Sequence, residues 1–294
     1  MFDRISASFG LARSSWDVLR NNKQFLLFPL LSGVGFILVV LSFVIPLGAI
    51  ALAGGIPTNF DQLPDNQKIA WEVAGVVCLF AFYFLTAFVI VFCNAALVSC
   101  AIMRFNGQTP TLGDGFRAAA ARWPQILGWA LVSATVSVLI KAIESNKRVG
   151  QIVSSILGMV WAVITYFVLP VLVVEKMGPF KAIGRSVEIL KKTWGEALVG
   201  HFTLGFFKFL AILPFILLLV VGAFLIAGGQ TTPALIYVGI AVFVVAGVYF
   251  LIYATVASAM DTIFISALYQ YAAFNTVPEG FDQSAMENAF RRRR

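Results

Sequence analysis

The segment PFKAIGRSVEILKKTW, residues 179–194, decides the fold because it contains a pattern that the chain repeats. Its apolar residues recur at spacings of three and four, which places them on one stripe of a helix. They are Phe180, Ile183, Val187, Leu190 and Trp194. The same register occurs at Phe2, Ile5, Phe9, Ala12 and Trp16, and again at Leu112, Phe116, Ala119 and Trp123. Because a long apolar run soon follows each tryptophan, the pattern predicts a triplicated membrane protein.

The composition is that of a chain whose solvent is the lipid bilayer. Hydrophobic residues make up 60% of it and charged residues 12%, with a mean hydropathy of +0.91, whereas roughly a quarter of the residues in a soluble chain are charged. About 20 apolar residues cross the hydrocarbon as a helix. Six runs are candidates, and the third is the weakest because it is short and contains hydroxyl side chains. The runs are 26–52, 73–102, 126–140, 152–174, 209–227 and 234–253.

The predicted fold class is therefore all-α, a polytopic membrane protein of six transmembrane helices. We expect one membrane domain over 1–294, made of repeats at about 1–106, 107–176 and 177–275 with a tail at 276–294. Each repeat is expected to be an interfacial amphipathic elbow helix followed by a hairpin of two spans. Repeats that cross the membrane twice share one orientation and are related by an axis along the membrane normal. The interfacial anchors are Trp16, Trp123 and Trp194, since tryptophan favours the headgroup boundary.

The positions of lysine and arginine predict the orientation. One side of the membrane carries most of them: Arg4, Arg13, Arg20, Lys23, Arg104, Arg117, Arg122, Lys176, Lys181, Arg185, Lys191, Lys192 and Arg291–Arg294. The opposite side carries Lys68, Lys141, Lys147 and Arg148. Since basic residues near span ends stay in the cytoplasm, both termini and all three amphipathic segments should be cytoplasmic. The net charge of +7 also favours anionic membrane lipids as partners. Nucleic acid is excluded, because the sequence contains no soluble domain to present a basic face.

Five polar residues at or near membrane depth are candidates for a functional site. They are Asn94, Glu175, His201, Lys208 and Asp261. An ionisable group near the bilayer centre costs about 3 kcal/mol on insertion scales, so such groups suggest function by default. A solute or proton site is one interpretation, and ion pairs or capped helix ends are the other. We expect Lys208 and Asp261 to approach each other, because adjacent spans bring them to similar depth.

Catalytic motifs and metal-binding patterns are absent from the sequence. It contains no HExxH, GxSxG or GxxxxGK motif and no clustered pair of carboxylates, so no catalytic residue is predicted. The cysteines, Cys78, Cys93 and Cys100, all lie in the second apolar run, and His201 is the single histidine. Neither the three cysteines nor the single histidine has the spacing of metal ligands, so we expect no metal ion and no cofactor.

Two stretches resemble a known group of proteins. FVLPVLVVEKMGPFKAIGRSVEILKKTWGEALVG, Phe167 to Gly200, is similar to the signature of an uncharacterised group of six-span prokaryotic inner-membrane proteins. ALYQYAAFNTVPEGFD, Ala267 to Asp282, is similar to the C-terminal pattern of that group. The group itself resembles the membrane domain that precedes some glycerophosphodiester phosphodiesterases. The resemblance implies an inner-membrane location and a lipid or envelope role without catalytic residues.

Three functions remain open from the sequence. The chain is a non-enzymatic lipid-associated or envelope protein, a small-solute or ion transporter using Lys208 and Asp261, or a scaffold for partner membrane proteins of unknown identity. A water-filled cavity that reaches the charged pair would favour transport. Clefts that face lipid would favour the first interpretation.

Overall fold

The computed structural model describes residues 2–55, 57, 62–144, 147–228, 232, 234–283 and 286, without the side chains of 2–9, 147–149 and 193–204. Over these residues the chain forms helices and no β-strand. The helices are α1 (Phe2–Asn21), α2 (Leu27–Leu52), α3 (Asp65–Phe105), α4 (Leu112–Ala120), α5 (Trp123–Glu144), α6 (Lys147–Ile164), α7 (Val168–Val174), α8 (Pro179–Gly228) and α9 (Ala234–Phe274). A short 3-10 helix, Lys23–Leu26, precedes α2.

Six stretches of the described chain are long and apolar enough to cross a membrane. They are Lys23–Leu52, Asp65–Phe105, Trp123–Glu144, Gly150–Val174, Gly205–Gly228 and Ala234–Phe274. The third span, predicted to be the weakest, is helical over 22 residues and is therefore about 33 Å long, enough for the hydrocarbon. Large apolar side chains such as Leu38, Val220 and Phe224 are exposed on these helices. Since water would penalise such surfaces, the chain is a multi-pass membrane protein.

The chain divides into two compact units. The first unit comprises the described parts of Met1–Leu26, Phe105–Gly107 and Lys192–Arg294, and the second unit comprises those of Leu27–Arg104 and Gln108–Lys191. Aromatic side chains join neighbouring spans within each unit, by edge and stacked contacts that add to apolar burial. The ring centroids are 5.5 Å apart for Phe43 and Phe82, 5.7 Å for Trp129 and Trp161, and 4.8 Å for Phe215 and Phe250.

Helix α4 is stabilised at its start and packs closely on its neighbours in the second unit. Thr111 and Asp114 form a reciprocal capping box, which satisfies backbone donors at the helix start. Gly115 lies so close to Cys100 and Phe28 that an added Cβ would be 2.6 Å from the sulfur and 2.8 Å from the ring. The absence of a side chain at Gly115 therefore permits this approach.

The third amphipathic segment differs from the other two in how it meets its span. The first, α1, is followed by Asn22, whose side-chain amide donates to the carbonyl of Val18, and Pro124 lies at the start of α5 after the second. Asparagine favours a helix end and proline favours a helix start. No asparagine and no proline occurs between Pro179 and Pro214. The backbone of α8 consequently runs without interruption from the amphipathic segment into the fifth span.

The prolines in the spans differ in whether the helix continues through them. Pro46 and Pro214 lie inside α2 and α8, which continue through them. Pro170 lies in the first turn of α7, directly after a break at 165–167. In a continuous helix its ring would collide with the carbonyl four residues earlier, so the break relieves that collision. The fourth span is thus made of two helices, α6 and α7.

Candidate functional site

Lys208 on α8 and Asp261 on α9 form a direct ion pair in the first unit. The Lys208 Nζ lies 2.7 Å from Oδ1 and 2.6 Å from Oδ2 of Asp261. The two side chains are 26% and 31% exposed. The pairing expected from their positions in adjacent spans is present. Since each charge is compensated by the other, both can lie beside long apolar runs at lower cost than either could alone.

Two tyrosines on α9 extend this contact along α8. The hydroxyl of Tyr253 donates to the backbone carbonyl of Lys208 over 3.1 Å, and the hydroxyl of Tyr249 donates to that of Ala211. Sequence analysis missed both residues. The available signal was their spacing, because Tyr249 and Tyr253 are four residues apart and share one face of a helix.

A groove with a volume of about 780 Å³ lies beside the ion pair, also within the first unit. Helices α1, α8 and α9 form its walls, and most of the lining is apolar. The lining residues are Gly10, Ala12, Arg13, Trp16, Phe207, Lys208, Ala211, Tyr249, Ile252, Tyr253, Val256, Ala257 and Met260. This volume is within the range of about 300–1,000 Å³ that is typical of small-molecule sites.

The polar groups that line the groove are suited to a negatively charged partner. Arg13 and Lys208 are cationic, and no acidic residue is among the described residues that line it. The indole N–H of Trp16 can also donate a hydrogen bond, whereas the hydroxyl hydrogens of Tyr249 and Tyr253 are used by backbone carbonyls of α8. The groove therefore combines a long apolar surface with two basic side chains.

The packing of α1 in the first unit determines which side chains reach the groove. Leu11, Ser15, Val18 and Leu19 are buried, and the Ser15 hydroxyl donates to the carbonyl of Leu11. The apolar stripe predicted from Ala12 and Trp16 is thus only partly buried, since Trp16 is 44% exposed. Helix α1 contacts α9, and its buried residues include Ala12 of the predicted stripe but not Trp16. Trp16 consequently lies at the edge of the groove.

The sequence pattern of DUF6159, a family of unknown function, matches residues 73–279, more than two-thirds of the chain. The chain belongs to the DUF6159 family. The expectation of a family without an established function agrees with this match. No curated protein matches the chain. In this DUF6159 protein the matched region includes Lys208 and Asp261, whereas Arg13 and Trp16 on α1 lie outside it.

Glu175 of the DUF6159 protein forms a different ion pair, in the second unit. Arg185 Nε lies 3.1 Å from both carboxylate oxygens of Glu175, and Arg185 Nη1 lies 2.8 Å from Glu188. The hydrogen bond to Glu188 and then the hydrogen bond to Glu175 raise the pKa of the Arg185 guanidinium above its ordinary value. These contacts join the end of the fourth span to the first turns of α8. Glu175 therefore has a structural partner within the second unit.

Two of the remaining predicted residues, Asn94 and Trp123, belong to the second unit. Asn94 is half-buried on α3 of the second unit. Trp123 begins α5 and is 57% exposed. The side chains of His201 and Trp194 lie outside the described residues. Among the described residues, no cluster of three metal-ligating side chains occurs.

Proposed function

We propose that this DUF6159 protein is a non-enzymatic, lipid-associated protein of the prokaryotic inner membrane that holds a membrane lipid in the groove of its first unit. The observation that carries the proposal is the groove itself: an apolar surface formed by Ile252, Val256 and Phe207 that continues to Lys208 and Arg13. An amphiphile needs both kinds of surface, whereas a small hydrophilic solute needs mainly polar contacts.

The proposed orientation places both termini in the cytoplasm. It rests on the excess of lysine and arginine in the segments that include α1, α4 and the start of α8, together with the retention of basic residues on the cytoplasmic side. In that orientation α1 would lie in the cytoplasmic headgroup layer, with Trp16 as its anchor. Arg13 would then be at the depth of lipid phosphates.

The proposed architecture is a triplicated hairpin with an amphipathic elbow before each pair of spans. The shared register of the three segments supports it, as do the aromatic contacts between α2 and α3, α5 and α6, and α8 and α9. The elbow helices α1 and α4 end before their spans, and the third elbow is continuous with its span. Bracing of spans against the membrane surface is the role that this arrangement favours.

The relation to the membrane domain of glycerophosphodiester phosphodiesterases is also a proposal. It rests on the similarity of Phe167–Gly200 to that group, and it agrees with a role near phospholipids. Several of the residues that carry the resemblance contact each other: Glu175 binds Arg185, and Ser186 binds the backbone of Phe167. Such contacts are typical of residues with a structural role. We therefore propose no catalytic activity on the basis of this resemblance.

Transport of a small solute or ion is the alternative function, and the position of the ion pair within the spans favours it. Lys208 and Asp261 are ionisable groups within spans, and such groups mark ion and proton pathways in many transporters. The groove that reaches Lys208 is lined mainly by apolar side chains, which favours lipid over a hydrated solute.

Lipid retention by the purified full-length protein tests the proposal. Ala257 lines the groove, so Ala257→Phe should fill it and lower the amount of co-purifying lipid that native mass spectrometry detects. Ala241→Phe is the matched control, because Ala241 is exposed on the same helix and does not line the groove. Equal lipid retention by the parent, Ala257→Phe and Ala241→Phe would refute lipid binding in the groove.

A further inference from the structure

We infer that the occupant of the groove is a single anionic phospholipid whose phosphate is bound by Arg13 and Lys208. The inference rests on the proposed function and adds the chemical class of the ligand. Its acyl chain would lie along Phe207, Ile252 and Val256.

Charge complementarity selects the headgroup. The described lining residues contribute two cations and no carboxylate. Arg13 is exposed and has no ion-pair partner among the described residues, so its guanidinium is available for bidentate binding of a phosphate. A zwitterionic headgroup would bring a quaternary ammonium or amine toward the same cations, and that approach is repulsive. An anionic headgroup meets both cations without such a penalty.

Lys208 can bind the phosphate while it remains close to Asp261. An ammonium group has three donor hydrogens, and the contacts to Oδ1 and Oδ2 of Asp261 use two of them. Asp261 is not among the lining residues, so its carboxylate holds Lys208 without lining the groove itself. The carboxylate competes with a phosphate for the lysine charge. Removal of that carboxylate should therefore strengthen phospholipid binding.

The apolar part of the groove distinguishes a lipid from free phosphate. Ile252 and Phe207 are large exposed apolar side chains, and burial of such surface is favourable only when the ligand is itself apolar. Inorganic phosphate would contact the two cations and leave the rest of the groove unoccupied. The occupant therefore needs a chain as well as an anionic headgroup.

The experiment compares phosphatidylglycerol with phosphatidylcholine of identical acyl chains. The full-length protein in detergent is titrated with each lipid, and bound lipid is counted by native mass spectrometry. We expect the parent to prefer phosphatidylglycerol by about fivefold or more, which corresponds to about 1 kcal/mol for a basic residue near an anionic surface. Excess inorganic phosphate should fail to displace the lipid; displacement would identify a phosphate site instead.

Variants that remove one charge test the anionic class of the ligand more directly. Arg13→Gln should reduce phosphatidylglycerol binding about fivefold and phosphatidylcholine binding less, because the choline cation already opposes Arg13, so the preference for phosphatidylglycerol should shrink. Arg20→Gln is the matched control, since Arg20 is exposed two turns further along α1 and does not line the groove. Asp261→Asn should increase phosphatidylglycerol binding in the fraction that elutes as a monodisperse peak. A role of Asp261 in folding alone would not produce this gain.

The outcomes separate the ligand class from the proposed function. Suppose that both lipids bind equally and that Arg13→Gln has no effect, while Ala257→Phe still removes lipid. The anionic assignment would then be wrong, and lipid binding in the groove would stand. Suppose instead that Ala257→Phe retains both lipids as the parent does. In that case the proposed function fails together with the inference.

Discussion

The backbone N–H of Phe167 donates to the hydroxyl of Ser186 over 3.0 Å in a buried environment. This bond joins the break between α6 and α7 to the first turns of α8, within the second unit. A chain break at membrane depth exposes backbone donors that lipid cannot satisfy, so a side-chain acceptor from a neighbouring helix stabilises it.

Replacement of this acceptor should destabilise the protein. Ser186→Ala removes the partner of a buried donor, which typically costs about 1–3 kcal/mol, and should lower the midpoint of thermal unfolding in detergent. Ser155→Ala is the matched control, because Ser155 is exposed and its hydroxyl bonds only to the carbonyl of Gln151 on the same helix. An equal midpoint for Ser186→Ala and Ser155→Ala would contradict the assigned role.

The ion pair between Lys208 and Asp261 should show coupling in a double-mutant cycle. Lys208→Met or Asp261→Leu alone leaves one charge uncompensated and should cost about 1–3 kcal/mol, between the values for exposed and buried pairs. The double variant should be more stable than either single variant, as measured by denaturant unfolding in mixed micelles. Additive losses in the double variant would indicate two independent charges.

Two glycines in α4 should respond to alanine in opposite directions. A Cβ at Gly115 would lie 2.6 Å from Cys100 Sγ and 2.9 Å from the carbonyl oxygen of Ala96, whereas at Gly113 the nearest atom would be 3.7 Å away. Gly115→Ala should therefore cost about 1–3 kcal/mol through overpacking. Gly113→Ala should be neutral or stabilising by up to about 1 kcal/mol through reduced entropy of the unfolded chain. Thermal unfolding of the two variants beside the parent measures the difference.

The capping box of α4 should contribute a pH-dependent stability. The side-chain hydrogen bond from Thr111, and next its backbone hydrogen bond, hold the pKa of Asp114 below its ordinary value. A lowered folded-state pKa stabilises the protein above the unfolded pKa of about 3.9. This contribution is lost as pH falls through the folded value. Asp114→Asn should remove it, so the stability difference between parent and variant should shrink from pH 7 to pH 3. A difference that is constant with pH would refute the assignment.

The proposed orientation can be tested by cysteine labelling in a background without Cys78, Cys93 and Cys100. Asp65→Cys, at a position whose side chain is 97% exposed, should react with a membrane-impermeant reagent in spheroplasts, because it lies on the side poor in basic residues. Lys181→Cys should react only after permeabilisation. The reverse labelling pattern would mean that the termini are outside the cytoplasm.

Much of the fold follows from local properties of the chain. Apolar length alone predicted spans such as 26–52 and 234–253, because only a hydrogen-bonded helix can carry so many apolar residues through hydrocarbon. The contact between Lys208 and Asp261 was also predictable. Adjacent spans place residues of similar depth side by side, and an isolated charge at that depth is costly.

The groove could not be predicted, because it depends on which helix α1 packs against. Periodicity indicates that a helix has an apolar face but does not name the neighbour that covers it. In the structure Leu11, Val18 and Leu19 are buried and Trp16 is left at the groove edge. The position of Arg13 in the groove lining could not be predicted for the same reason.

The sequence by itself determined the membrane as solvent, the six spans and the pairing of Lys208 with Asp261, since these depend on the hydrophobicity and order of residues along the chain. Only the tertiary structure decided that Arg13, Trp16 and Lys208 line one surface and that Glu175 binds Arg185. Such groupings join residues that are far apart in the chain or on separate helices, and the packing angles that create them are set by side-chain contacts between helices.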